Sequence, residues 1–240
     1  FDHSDNSSHD FGYNEHLKCG ISIDRSPGMA ATHYISVFVY PILLLHGIVG
    51  NLLAIPILIS VSKSAWSTVI YLACLAGTDL ILLLIRCGST WYFEVVKVNL
   101  SEKIMNSSDA ACKAYNFSFM CIEHMNPWLV ASISVDMMIA TRWPMRTYVM
   151  CTLERARYVL LLISILVVCL DINLFWTHGV PKPGYPCLYT EEFSDIFKER
   201  IWPVLDNAIG TYLPLATVTI CFIITASTMI HRPASLGKDL

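Results

Sequence analysis

Residues 112–144 read CKAYNFSFMCIEHMNPWLVASISVDMMIATRWP, and the character of this run decides the architecture. It exceeds the ~20 residues that cross a bilayer as a helix, and it lacks the strict alternation of a half-buried strand. It nevertheless contains Glu123, His124, Asn126 and Asp136, which lipid penalises unless they face protein or water. Steps of four and three place Phe119, Glu123, Asn126, Val130, Ile133 and Met137 on one helical stripe. That stripe is expected to face the interior of a bundle. Pro127 is expected to kink the helix, because proline removes one hydrogen bond of the ladder.

The rest of the chain fits the same solvent. Its 240 residues are 55% hydrophobic and 15% charged, against roughly 25% charged in a soluble domain; the mean hydropathy is +0.53. Five apolar stretches, at about 34–61, 68–85, 110–141, 157–176 and 202–230, are each read as a membrane-spanning helix. Backbone groups find no water in lipid, so unbroken apolar runs of this length satisfy themselves as helices. The expected fold is an all-α membrane protein, a transmembrane helix bundle set in a lipid bilayer. Residues 1–33 read as a polar extracellular tail, 34–230 as the bundle, and 231–240 as the start of a cytoplasmic loop. A net charge of −3 gives no support for nucleic-acid binding. No zinc-protease, phosphate-loop or Cys-x-x-Cys pattern is present, so an enzyme is not expected.

Orientation follows from the loops. With the N-terminus outside, the inner segments hold Lys63, Arg142, Arg146, Arg155, Arg157, Arg232 and Lys238 against only Glu154 and Asp239. The outer segments hold 9 Lys and Arg against 12 Asp and Glu, so the balance of charge, though not the count of basic residues on which the rule rests, favours the N-terminus outside. Sequons at Asn6, Asn99 and Asn106 all fall on the predicted outer side. A fourth, at Asn116, lies inside the third span and is not expected to carry a glycan.

Several positions in order resemble the rhodopsin-like (class A) G protein-coupled receptors. They are Gly50-Asn51, Leu75-Ala76 with Asp79, Trp91-Tyr92-Phe93, Cys112, Asp136 followed by Ile139-Ala140 and Pro144, Cys187, and Pro214 in Tyr212-Leu213-Pro214. The resemblance implies a seven-helix fold of which five helices are present, hence an N-terminal fragment, at the plasma membrane. It implies a disulfide between Cys112 and Cys187, and a sodium ion at Asp79 with Asn126, the sole cofactor expected. A structural cluster of polar groups between helices is the alternative at Asp79. The implied partners are an extracellular ligand and a heterotrimeric G protein.

Phe119 occupies the position where monoamine receptors carry an aspartate, which disfavours an amine ligand. A short peptide is the leading reading, with Phe119, Met120, Glu123, Asp206 and Asn207 lining its pocket. Glu123 and Asp206 would receive a basic group of the ligand; alternatively Glu123 pairs with His124 or with a residue beyond this chain. Asp171 and Asn173 lie in the outer half of the fourth span. Cys151 is read as an inner-side thiol, plain or palmitoylated.

The departures from the pattern are as informative. At the coupling triplet Asp136-Met137-Met138, Met137 replaces the family's arginine, and a thioether has neither its charge nor its donors. Ser164 lies near the position of a family tryptophan, and Phe222 replaces a tyrosine of the activation machinery. Three readings follow: a divergent peptide receptor that couples, a binding-only or decoy relative, and a small multi-span transporter or channel subunit.

Overall fold

A computed structural model describes residues 33–61, 66–180, 186–190 and 197–231. The sequon at Asn6, Cys19 and the loop residues Lys63, Arg232 and Lys238, expected on the inner side, lie outside these residues. Five long helices organise the rest: α1 (Ile35–Val61), α2 (Ser67–Val96), α3 (Asp109–Arg142), α4 (Leu153–Thr177) and α5 (Glu199–Ile230). At ~1.5 Å per residue each is long enough to cross the ~30 Å hydrocarbon layer. Short helices Leu100–Met105 and Pro144–Met150 join α2 to α3 and α3 to α4. A small antiparallel hairpin pairs His178 with Tyr189 and Gly179 with Leu188. The end of the bundle that carries this hairpin is called the disulfide end below.

Local chemistry sets the helix limits. Ser108 caps α3 by accepting from the Ala111 N–H at 3.1 Å, and Pro144 closes it by disfavouring helical backbone at Trp143. Thr152 caps the start of α4. This cap draws α4 back to Leu153, ahead of the expected start at 157. Lys97, in the left-handed region at φ 59°, ends α2 by turning its N–H onto the Phe93 carbonyl. The second span, expected over 68–85, thus continues to Val96 and takes Arg86 into the helix.

Two of the long helices widen into single π-helical turns where they border the site, α2 at Leu83–Gly88 and α5 at Ala208–Tyr212. In α5 the cause is local. Pro214 has no N–H to offer the Gly210 carbonyl one turn back, so the ladder is interrupted there.

The central helix is α3, which packs on α2, α4 and α5, while α1 packs on α2. Tyr71, Leu129 and Ala156 form the core at the α2–α3–α4 junction, surrounded by Ile70, Leu75, Met125, Ile133 and Leu160. Gly47 lets Leu83 close against α1. Among the described residues, four helices (α1, α2, α4 and α5) are long and apolar enough to span a membrane by composition, and α3 is less apolar than these. The polar side chains of α3 are surrounded by other helices, so it needs less apolar surface than its neighbours. By contrast α1 exposes Ile42, Leu45, Leu53 and Ile57, as suits a helix whose outer solvent is lipid.

Candidate functional site

Toward the disulfide end, α2, α3 and α5 enclose a cavity of about 710 Å³. Pro127, Val130, Pro214 and Leu215 supply apolar surface, and Arg86, Glu123, His124 and Asp206 bring charge to its wall. A second cavity of about 520 Å³, reaching Phe93, Tyr115 and Phe119, shares Arg86 and Met120 with the first.

Arg86 reaches this wall from the π turn of α2. It donates to Glu123 in a close ion pair, and its guanidinium lies 4.9 Å over the Phe119 ring. Phe119 in turn stacks on Tyr115. Glu123 is therefore partnered, and by neither candidate raised by the sequence. Spacing alone held a clue to this: Arg86 lies seven residues after Asp79, two turns along the same helical face. Ending α2 at residue 85 hides that relation.

The second charged group centres on His124, which is 5% exposed. Its Nδ1 faces both Asp171 oxygens at 3.0 and 3.1 Å. Asp171 is wholly buried at the break in α4, where the regular helix stops before Leu174–Thr177. On the other side, His124 Nε2 lies 3.1 Å from Asp206 Oδ1. That contact is a charge pairing off the hydrogen-bond direction, and Oδ1 has no aligned donor among the described residues. One imidazole thus bridges α3 to α4 and α5. Gly210 makes room for it, since a Cβ there would stand 2.5 Å from His124 Cδ2 and 2.8 Å from Nε2.

Of the remaining predicted residues, Met120 and Asn207 line the larger cavity, and Asn207 spends its amide on the Pro203 carbonyl at 2.7 Å. Glu123 and Val130 of the predicted stripe face the cavity, but Met137, at 51% exposure, does not lie in the interior. The buried face of α3 adjoins that stripe and carries His124, Leu129, Ala131, Asp136 and Ile139. A polar stripe identifies the cavity side of a helix, whereas close packing selects the face with neighbours on both flanks.

At the disulfide end Cys112 is bonded to Cys187, with Cα atoms 5.7 Å apart. Asn116 Nδ2 donates to the Cys112 carbonyl at 2.9 Å and lies 3.2 Å from Cys187 Sγ, which seats this sequon against the disulfide. Asn106 accepts from the Cys187 N–H at 2.7 Å, and Asn99 caps its helix by accepting from Glu102. Both bonds use the amide oxygen, not the nitrogen to which a glycan attaches.

Deeper in the bundle, Thr78 donates to Asn126 Oδ1 and Asn126 Nδ2 donates to Asp79 Oδ1 at 2.5 Å. Asn126 therefore offers Asp79 a donor rather than an oxygen. The three side chains form a hydrogen-bonded tie between α2 and α3. No group of three or more His, Cys, Asp or Glu among the described residues is placed to hold a metal.

Near the opposite end Asp136 is buried and accepts from the hydroxyls of Ser67 and Thr68, the latter at 3.1 Å. The acid of the altered triplet is thus held by the start of α2, and neither Arg142 nor Arg146 is required to satisfy it. Cys151, between the short helix Pro144–Met150 and α4, is 5% exposed and its carbonyl accepts from the Ser67 N–H. Burial and the charge of Asp136 push its thiol up to about 11.

Comparison with known proteins agrees with this geometry. The family model described as 7 transmembrane receptor (rhodopsin family) matches residues 50–239. G-protein coupled receptor 35 of Mus musculus is 27% identical over 168 residues, covering 70% of this chain and 50% of its own length. Galanin receptor type 3 of Homo sapiens is 27% identical over 207 residues, covering 84% and 54%. The chain spans about half the length of the curated relatives it matches. With its helical membrane bundle and a match across most of its length, the chain belongs to the rhodopsin family of seven-transmembrane receptors.

Proposed function

We propose that this protein is a multi-pass cell-surface receptor for a short peptide, with its N-terminus and disulfide end facing outward. The observation that carries the reading is the pair of adjoining cavities sharing Arg86 and Met120. Together they suit an extended ligand better than a compact amine. One relative is named for galanin, and that relative is a receptor rather than an enzyme. Of the two carboxylates expected to meet a basic ligand group, Asp206 is the available one, because Glu123 is already paired with Arg86. Asn99 and Asn106 would carry their glycans on the outward face.

The decisive measurement uses membranes bearing the full-length receptor and two biotinylated hexapeptide libraries, one with a single arginine per peptide and one with a single glutamate. The arginine library is captured in excess, and Asp206→Asn removes the excess. Equal capture of the two libraries sinks the reading.

Coupling to a heterotrimeric G protein at the opposite face is the family's expectation. A binding-only receptor is the second reading, favoured by an uncharged, exposed Met137 beside an Asp136 already held by α2. Nucleotide exchange on a G protein discriminates the two. If coupling is impaired, Met137→Arg raises basal exchange; robust exchange by the wild type, unchanged by the substitution, removes the binding-only reading.

A further inference from the structure

We propose that Asp206 is a guanidinium receptor masked by His124, so that the cavity selects an arginine of the ligand over a lysine. The inference rests on the reading of this cavity as the ligand site and names the chemistry it prefers. His124 holds its two carboxylates unequally. Toward Asp171 the ring nitrogen meets both oxygens of a wholly buried partner; toward Asp206 it makes only a misaligned contact with an acid 30% exposed. The Asp206 side is the one that can open. His124 keeps Asp171 when it does, so no buried ring is stranded.

The unmet demand at Asp206 is for direction as well as charge. Its Oδ1 is shielded from solvent and lacks an aligned donor, a condition that costs free energy until a donor arrives. A guanidinium supplies two parallel N–H groups in the fork a carboxylate accepts. An ammonium is a more strongly hydrated point charge and loses more on entering a cavity lined by Pro127, Val130 and Pro214. The facing wall does not compete, because Arg86 is engaged by Glu123 and seated on Phe119.

The test uses the full-length receptor in detergent and two probes of equal charge, N-acetylarginine amide and N-acetyllysine amide, read by the shift in melting temperature. In the wild type the arginine probe half-saturates at about tenfold lower concentration than the lysine probe, the size of one well-aligned charged hydrogen bond. Asp206→Asn abolishes that preference. His124→Gln, which keeps a donor for Asp171 while withdrawing from Asp206, lowers the arginine midpoint several-fold. Equal midpoints in the wild type, or a preference that survives Asp206→Asn, overturn the inference while leaving the cavity a cation site. Failure of both probes to shift wild type and His124→Gln overturns the inference and the basic-ligand reading together.

Discussion

At position 210 the absence of a side chain decides how closely α5 meets α3, because a Cβ there runs into the His124 ring. Gly210→Ala is expected to cost about 1–3 kcal/mol through overpacking, seen as a lower melting temperature in detergent. Gly50→Ala is the control, since its added carbon would meet nothing within 4 Å; an equal loss there would refute the steric account. Cys151 makes the opposite kind of prediction, one of inertness. With its thiol pushed up to about 11, only about one molecule in a thousand is thiolate at pH 8, and the thiolate is the reactive form. Maleimide should spare Cys151 in folded protein, and Asp136→Asn, by removing a charge that disfavours the thiolate, should speed its labelling. Rapid wild-type labelling, mapped by mass spectrometry, would contradict the buried placement.

Between elements, α2 is tied to α3 twice, through Thr78, Asn126 and Asp79 in mid-helix and through Ser67, Thr68 and Asp136 near the end. Ser67→Ala leaves a buried carboxylate short of a donor, at a cost of about 1–3 kcal/mol. Thr68→Ala should cost less, because Thr68 is less buried than Ser67. Reversal of that order in melting experiments would show that Ser67 is not the principal partner. Apolar runs and family landmarks made the helices legible, together with Glu123, Asp206 and Asp79 as notable polar positions. The partners of those groups were not legible in the same way. The apolar stretch after Asp79 stops at Ile85, so Arg86 lies just outside the span expected from hydropathy although the helix continues past it. The pairing of His124 with Asp171 depends on the depth at which α4 breaks, which local sequence does not encode. The π turn of α5 has a local sign in Pro214, whereas nothing in the sequence of Leu83–Gly88 marks the one in α2.

At the scale of the whole molecule, the bundle is built around its most polar long helix. The disulfide anchors α3 at one end to the hairpin beyond α4, and the Asp136 contacts anchor it at the other to α2. Removing the covalent link by Cys187→Ser should free the hairpin while the Asn106 contact is weakened and the α2–α3–α4 core persists. Hydrogen exchange is expected to rise over 186–190 and to change little at Leu129 and Ala156; a uniform rise would show that the disulfide supports the core itself. The modest apolarity of α3 also bears on biogenesis. A helix less apolar than its neighbours gains a polar-compatible berth when earlier helices wait beside the insertion channel. α1 and α2, both strongly apolar, emerge first and are suited to that chaperoning role. The order of synthesis thus becomes part of the folding code: an α3 translated alone should be retained in the membrane less often than the same helix translated behind its two predecessors.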